Sequence, residues 1–241
     1  MRKFILNKIP VDDYDLKKIT EKVLAGQSKF QFFLNVHKIV MMSGNKNPFE
    51  EIDANKSLFS VDGIWIQWLS NYFNIFPKQR FGGVDVILNF AKLSQENNYT
   101  IYFHGSTEKI LKLMITNLKK IYPKVKICGY SHGFYNKDKK IIDEVVDLKP
   151  DFLFLALPSP KKELFGYKIF KKCNSLKYVA GVGGAYDIIA GISPRAPNFI
   201  QKIGIEWLFR ICLSPRRLFV RYFSDGVMFI SILIKYFLKR I

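Results

Sequence analysis

The chain has 241 residues, of which 49% are hydrophobic, and its 38 Lys and Arg against 20 Asp and Glu give a formal charge of +18. This composition excludes a disordered chain, and the length suits one α/β domain, or a domain with an appendage, rather than two full domains. The charge indicates a polyanionic partner: nucleic acid, an anionic membrane face or a phosphate-rich substrate.

Short apolar runs alternate with amphipathic stretches along most of the chain. The predicted strands are 30–35, 99–103, 124–128, 151–157 and 177–182, and the predicted helices are 16–24, 63–73, 84–93, 107–121 and 137–147. Strands that are apolar on both faces, alternating with helices, predict an α/β fold with a parallel sheet covered on both sides. Ligands of such sheets bind at the carboxyl ends of the strands.

Several features expected of other protein classes are missing from the sequence. Three widely spaced cysteines, Cys128, Cys173 and Cys212, form no zinc-binding pattern, and their odd number suits a reducing cytosol. The basic N-terminus has an interrupted apolar run and does not match a signal peptide. No stretch approaches the ~20 apolar residues of a membrane-spanning helix.

The last 47 residues differ from the rest of the chain. Residues 195–241 carry nine basic groups and two acids, a net charge of +7, interleaved with Phe, Ile, Leu and Trp. We therefore predict an α/β core over 1–194 and a helical appendage over 195–241. Bulky apolar residues between cations favour a helix lying at a membrane interface, and the alternative is a basic face that only supports solubility.

Three arginines of this segment are spaced seven and four residues apart. Arg210, Arg217 and Arg221 share one helical stripe if the helix continues across Pro215. A row of guanidinium groups suits a diphosphate, because each can bind two oxygens at once.

Two motifs at predicted strand ends could carry chemistry. Asp62, followed by Gly63, is either a general base or a turn residue that bonds its own backbone. The glycine-rich segment 181–184 either lets backbone amides approach a phosphate or serves only a tight turn.

Other polar motifs have structural interpretations beside functional ones. Arg80 could pair with a phosphate or carboxylate, whereas Asp85 is expected to cap the helix near residue 84. Segment 158–163 is a strand exit with two cations or a solvated turn. The acids of 13–15 match a metal-binding pattern by letter but are expected to cap the first helix, and Ser106 is expected to cap the helix after residue 103.

Taken in order, these motifs resemble those of the WecG/TagA/CpsF glycosyltransferases, bacterial enzymes of surface-polymer synthesis. The matching positions are Asn35, 61–63, Arg80, Gly83, Asp85, Gly129, 132–134, 160–163, 181–184, Asp187, 195–197 and 206–210. The most specific part of the likeness runs from Gly181 to Arg210.

The resemblance implies a Rossmann-like core with a C-terminal membrane-binding appendage, peripheral on the inner face of the bacterial plasma membrane. It implies an inverting transfer that needs no metal and no cofactor. The sugar is typically N-acetylmannosamine, the donor is a UDP-sugar, and the acceptor is N-acetylglucosamine on a polyprenyl diphosphate.

The resemblance also implies residue roles. It assigns Asp62 as the general base, with Asn35 and Arg80 beside the substrate. It places the uridine at Gly133, Phe134 and Asp187, and the predicted donor site further includes Gly105, Lys162, Gly183 and Gly184. It assigns Arg210, Arg217 and Arg221 to the diphosphate and the membrane.

Two positions depart from the family pattern and keep alternatives open. Phe33 stands where the family usually has Thr, and Lys162 where it usually has Gln. The donor could therefore be another UDP-hexose or a UDP-uronic acid instead of UDP-N-acetylmannosamine. A non-catalytic membrane-bound scaffold is the alternative to an enzyme. Nucleic-acid binding is disfavoured, because no known nucleic-acid motif is present. The sequence leaves open whether the protein is a homo-oligomer.

Overall fold

The computed structural model describes residues 2–6, 8–75, 80–134 and 138–238, except for the side chains of Arg2 and Arg217. Within these ranges the strands are β1 (Arg2–Ile5), β2 (Ile9–Asp12), β3 (Lys29–Leu34), β4 (Ser57–Val61), β5 (Thr100–Gly105), β6 (Lys126–Ser131), β7 (Phe152–Ala156) and β8 (Tyr178–Gly181). The helices are α1 (Leu16–Leu24), α2 (Val36–Ser43), α3 (Ile64–Tyr72), α4 (Gly83–Asn97), α5 (Glu108–Ile121), α6 (Asp138–Leu148), α7 (Lys161–Lys172), α8 (Ala185–Ile189), α9 (Asn198–Ile203), α10 (Glu206–Leu213) and α11 (Pro215–Leu238).

Strands β3 to β8 form one parallel sheet in the order β4-β3-β8-β7-β5-β6, and β1 and β2 form a separate antiparallel hairpin. The predicted α/β class with a parallel sheet is confirmed. Because the six strands run in one direction, their carboxyl ends meet at a single edge, where Asn35, Asp62 and Gly183 follow them.

The sheet separates two apolar layers, because successive side chains of a strand point to opposite faces. Phe30, Phe32 and Leu34 of β3 pack in the layer that contains α2, α3, α6 and α7. Phe33 packs in the opposite layer, with α1, α4, α5 and α8, and its ring centroid lies 5.9 Å from that of Phe81. The phenyl ring that departs from the family pattern is therefore a core side chain.

Most predicted elements have a counterpart in the structure. The bounds of α1 are as predicted, and α3 to α6 and β3 and β5 to β8 lie within a few residues of the predictions. The predicted ranges did not include the β1–β2 hairpin, β4, α2, α7 or α8. Helix α2 was missed because it follows β3 after a single residue, so the two apolar patterns merge.

Two of the three capping predictions are confirmed. Asp15 Oδ1 accepts a hydrogen bond from Lys18 N at 2.8 Å, and Asp85 Oδ2 accepts one from Gly82 N at 3.0 Å. The prediction for Ser106 is wrong, since Thr107 caps α5. Ser106 has a φ of 57°, a left-handed conformation that differs from the extended backbone of a capping residue.

The helices α9, α10 and α11 make up the predicted appendage. The prediction that Arg210, Arg217 and Arg221 share one helical stripe required a helix that continues across Pro215, and it is wrong. Helix α10 ends before Ser214 (φ −144°, ψ 62°), and α11 begins at Pro215. Proline lacks an amide hydrogen and therefore suits the first position of a helix rather than its interior. Of the helices described, none combines the length and apolar character needed to cross a membrane.

Helix α11 packs against the core. His37 Nδ1 lies 3.0 Å from both carboxylate oxygens of Asp225, and Asp225 is buried. The rings of Tyr72 and Phe237 add an edge contact at 5.3 Å. The domain boundary at residue 195 stays a prediction.

Candidate active site

Asp62 lies where the carboxyl ends of β3 and β4 meet. Its amide donates to Leu34 O at 2.7 Å, and Gly63, with a φ of 103°, turns the chain so that α3 begins at once. The Asp62 side chain is exposed to solvent, with charged groups of the core and of the appendage around it, and we call this region the Asp62 cleft. Burial by the surrounding protein is the largest effect on the pKa of Asp62 and raises it. The positive charge of Arg210 lowers this pKa, and the negative charge of Glu206 raises it.

The core side of the cleft contains a buried ion pair. Lys38 Nζ lies 2.7 Å from Glu163 Oε1, and both side chains are 2% exposed. Burial lowers the pKa of Lys38 to about 8. Burial favours the neutral form of Glu163, but Lys38 and Lys162 outweigh it and hold the pKa of Glu163 below its usual value. The charges of Lys38 and Lys162 also lower the pKa of Asp62.

Asn35 positions this ion pair. Its Oδ1 accepts from Lys38 N at 3.1 Å and so caps α2. Residues three apart lie on the same side of a helix, so the cap directs Lys38 toward the strand ends. Asn35 directly follows β3 beside Asp62, and its side-chain oxygen caps α2. The substrate contact expected of Asn35 stays a prediction.

Lys162 spans the end of β8. Its stem lies against Gly181, where a Cβ would come within 3.0 Å of Lys162 Cδ. Its Nζ lies 3.7 Å from Glu163 Oε1 and 3.6 Å from where a Cβ on Gly183 would be. The structure therefore brings together two predicted donor-site residues, Lys162 and Gly183.

The appendage supplies the other side of the cleft. Arg210 donates to Glu206 Oε1 from Nε at 3.1 Å and from Nη2 at 2.6 Å. Burial lowers the pKa of Arg210, but Glu206 and Asp62 more than offset this, so the net shift is upward. Arg210 therefore lies within electrostatic reach of Asp62.

Helix α11 adds an aromatic residue near Arg210. Burial raises the pKa of Tyr222, which Arg210, Arg221 and Asp62 also influence. The exposed guanidinium of Arg221 lies 5.5 Å from the Tyr222 ring centroid. Arg217 has its backbone in α11, and its side chain lies outside the described residues.

Arg80 contacts the appendage. Its Nη2 donates to Gln201 O at 2.7 Å and to Lys202 O at 3.3 Å, at the end of α9. Arg195 forms an ion pair with Asp85, so the segment around Arg80 is attached to the appendage twice. The substrate contact expected of Arg80 stays a prediction.

The remaining predicted donor residues lie at other strand ends and around the start of α8. Gly105, with a φ of 113°, approaches the Ala156 backbone so closely that no side chain fits. Gly133 N donates to Ser106 O at 2.8 Å. Phe134 and Gly184 are exposed, and Asp187, in the first turn of α8, is partly buried.

A buried hydrogen-bond chain, missed in the sequence, lies beside Gly133. His104 Nδ1 contacts Ser131 Oγ at 2.8 Å, and Tyr102 Oη lies 2.9 Å from Ser131 Oγ and 2.8 Å from Glu144 Oε1. Burial lowers the pKa of His104 to about 4, so it is neutral at pH 7. Ser131 and Glu144 also line an open depression of about 240 Å³ at this end of the sheet.

Four residues of the Asp62 cleft were not among the predicted site residues: Lys38, Glu163, Glu206 and Tyr222. Glu163 and Glu206 lie within the motifs that carry the resemblance, so a signal existed. Lys38 and Tyr222 had none, because their positions follow from the docking of α2 and α11. In the described part of the chain, no three His, Cys, Asp or Glu side chains are grouped as metal ligands.

Comparison with known proteins identifies the family of this chain. The model of the glycosyl transferase WecG/TagA/CpsF family matches residues 4–241. An N-acetylglucosaminyldiphosphoundecaprenol N-acetyl-beta-D-mannosaminyltransferase of Bacillus spizizenii (strain W23) is 24% identical, over 88% of this chain and 84% of the relative. A protein with that name from Bacillus subtilis (strain 168) is 29% identical, over 69% of this chain and 65% of the relative. Another, from Staphylococcus aureus (strain MRSA252), is 24% identical, over 75% of this chain and 71% of the relative. Because the family match covers nearly the whole chain, the protein belongs to the WecG/TagA/CpsF family of glycosyltransferases.

Proposed function

We propose that the chain transfers N-acetylmannosamine from a UDP donor to N-acetylglucosamine on a polyprenyl diphosphate in bacterial cell-surface polymer synthesis. The relatives' names supply the sugar and the acceptor. The observation that carries the proposal is the environment of Asp62. This carboxylate has a raised pKa and solvent access, and it is faced by cations from both the core and the appendage.

In the proposed reaction, Asp62 accepts the proton of the acceptor hydroxyl as that oxygen attacks the anomeric carbon. The bond from this carbon to the UDP oxygen breaks, and UDP leaves with the bonding electrons. A single displacement inverts the configuration. A carboxylate whose pKa lies closer to neutrality is a better base than an ordinary one, which is the use of the raised pKa.

Charge develops on the leaving diphosphate, and positive groups must stabilise it in place of a metal. Arg210 of the appendage and Lys38 and Lys162 of the core are the cations that lower the pKa of Asp62, and Arg210 and Lys162 are the two that we assign to the diphosphate. The amides of the Gly183–Gly184 turn can add hydrogen bonds to phosphate oxygens.

The appendage places the proposed enzyme at the membrane surface. Helix α11 carries a stripe of exposed apolar side chains, spaced three or four residues apart except for the adjacent Phe219 and Val220. We call it the apolar stripe; its members are Phe219, Val220, Phe223, Val227, Ile230, Ile234 and Leu238. Exposed Arg216, Arg221 and Lys235 flank it. Such a helix lies in the headgroup region of an anionic bilayer, where a polyprenyl acceptor resides. We therefore propose a peripheral membrane enzyme.

Asp62→Asn tests the proposed base. It keeps the shape of the side chain but removes its basicity, so turnover should fall by about 10²- to 10⁴-fold while the UDP-sugar still binds. Turnover with a short-chain prenyl-diphosphate acceptor and calorimetric donor binding measure the two effects. Asp143→Asn, on the exposed side of α6, is the matched control. Near-normal turnover of Asp62→Asn would exclude the assignment.

A second candidate donor follows from Lys162. Its ammonium group stands beside Gly183 at the site edge, where it could pair with the carboxylate of a UDP-uronic acid. A panel of UDP-sugars tested with the parent chain and with Lys162→Gln separates the candidates. A uronic acid donor is supported if the parent prefers it and the variant loses that preference.

A further inference from the structure

Helix α3, which belongs to the core, presents a row of large aromatic side chains to solvent. Trp65, Trp68 and Tyr72 are 46%, 54% and 60% exposed. Their spacing of three and four residues places them on one side of the helix. Helix α3 contains no charged residue. A contiguous exposed patch of this kind marks an interaction surface rather than ordinary solvent-facing structure.

This aromatic row joins the surface of the appendage. The ring centroid of Trp65 lies 6.4 Å from that of Trp207 of α10, and Trp207 lies 6.2 Å from Tyr222 of α11. At the other end of α3, Tyr72 contacts Phe237. The aromatic row of α3 is therefore connected at both ends to the appendage, and through Phe237 it contacts α11, the helix that carries the apolar stripe.

The charges around this surface favour an anionic lipid bilayer as its occupant. The appendage has two acids, and both are engaged: Glu206 with Arg210, and Asp225 with His37. Exposed cations border the stripe, as described above. A second copy of the chain would bring the same positive charges to the contact and be repelled, whereas anionic headgroups would be attracted. Tryptophan and tyrosine are the side chains enriched at membrane interfaces.

We propose that the exposed face of α3, formed by Trp65, Trp68 and Tyr72, is a second membrane contact, built into the core and in contact with the helices of the appendage. The proposal rests on the peripheral membrane association proposed above. Trp65 is the second residue of α3 and follows Asp62 by three positions along the chain. Insertion of α3 into the headgroup region therefore holds the Asp62 cleft at the level of the acceptor's sugar.

The tryptophans of the chain provide a direct test. All three, Trp65, Trp68 and Trp207, lie in this surface. In full-length Trp207→Phe, the remaining indoles are both on α3. With phosphatidylglycerol vesicles that carry brominated acyl chains, we expect their emission to shift to shorter wavelength and to be quenched, relative to unbrominated vesicles.

The outcomes separate this inference from the proposal on which it rests. If the protein floats with the vesicles but the α3 indoles are not quenched, the second contact is wrong and the apolar stripe alone remains as the anchor. If the protein does not float, membrane association itself is wrong. Self-association with rising protein concentration, without lipid quenching, would assign the surface to a second copy and overturn the inference.

A substitution measures the contribution of α3 to binding. Trp68→Ser with Tyr72→Ser removes the two most exposed rings of the row, and vesicle partition should weaken by at least about tenfold. Circular dichroism and thermal melting check that the variant is folded. Ile121→Ser, which removes an exposed apolar side chain of α5, is the control and should partition like the parent. Unchanged partition of the double variant would contradict the proposal.

Discussion

Two glutamate–cation pairs lie on opposite sides of Asp62, and they differ in their access to water. The Lys38–Glu163 pair of the core is 2% exposed on both sides, whereas the side chains of the Arg210–Glu206 pair of the appendage are 48% and 40% exposed. Separating a buried pair leaves a charge without solvent, while an exposed pair exchanges partners at little cost. The core pair can therefore fix geometry, and the appendage pair can release Arg210 to a diphosphate.

The core and the appendage also differ in what each contributes to Asp62. The core holds Asp62 in place through the hydrogen bond that its amide donates to Leu34 O, where β3 and β4 end side by side. The appendage brings a positive and a negative charge that shift its pKa in opposite directions. Changes to the core pair should therefore act mainly on stability, and changes to the appendage pair mainly on the pH dependence of activity.

The largest effect is expected for Lys38→Met. It leaves the Glu163 carboxylate buried without its closest partner, which should reduce the free energy of unfolding by about 3–5 kcal/mol. Replacing both residues with apolar side chains, Lys38→Met with Glu163→Leu, should restore most of the loss. Denaturant unfolding followed by circular dichroism measures both variants.

Lys112→Met is the control for this prediction. Lys112 pairs with Glu108 on the outer surface of α5, and its loss should leave the unfolding midpoint nearly unchanged. If Lys38→Met were as stable as Lys112→Met, the buried pair would not fix the core side of the cleft.

The next effect is expected for Arg210→Gln. Loss of a cation that stabilises the leaving diphosphate should reduce kcat/KM by about 10²-fold. Because Arg210 lowers the pKa of Asp62, its removal should raise that pKa further, and the acidic limb of the pH profile should move to higher pH. Profiles of kcat/KM with a short-chain acceptor give both quantities.

Lys92→Gln, which removes an exposed positive charge of α4, is the control for overall charge. It should change neither kcat/KM nor the position of the acidic limb. A similar loss in both variants would show that Arg210 acts only through the net charge of the protein.

The smallest effect is expected for Glu206→Gln. An exposed pair contributes about 0–1 kcal/mol, so stability should change little. Since Glu206 raises the pKa of Asp62, its loss should move the acidic limb to lower pH, opposite to Arg210→Gln. A shift of both variants in the same direction would contradict the assignment of the two charges to the Asp62 cleft.

The sequence anticipated the architecture well and the site in part. Apolar periodicity predicted the parallel sheet and most helices, because strand and helix patterns differ in period. The motifs placed Asp62, Asn35 and Gly183 just after strands, and the structure finds them there, whereas Lys162 lies in the first turn of α7 rather than in a strand exit or turn, with its stem against Gly181. The contacts of Arg80 with α9 were not foreseen, since they depend on how the appendage docks.

What the sequence determined by itself was local or compositional: the alternation of strands and helices, the turn after Asp62, the capping by Asp15 and Asp85, and an appendage that is both basic and apolar. The tertiary structure alone decided which charges meet. Lys38 and Glu163 are 125 positions apart along the chain, and Asp62 and Arg210 are 148 apart. The strand order and the docking of α10 and α11 bring them together, so that charges of both regions, Lys38 of the core and Arg210 of the appendage, lower the pKa of Asp62.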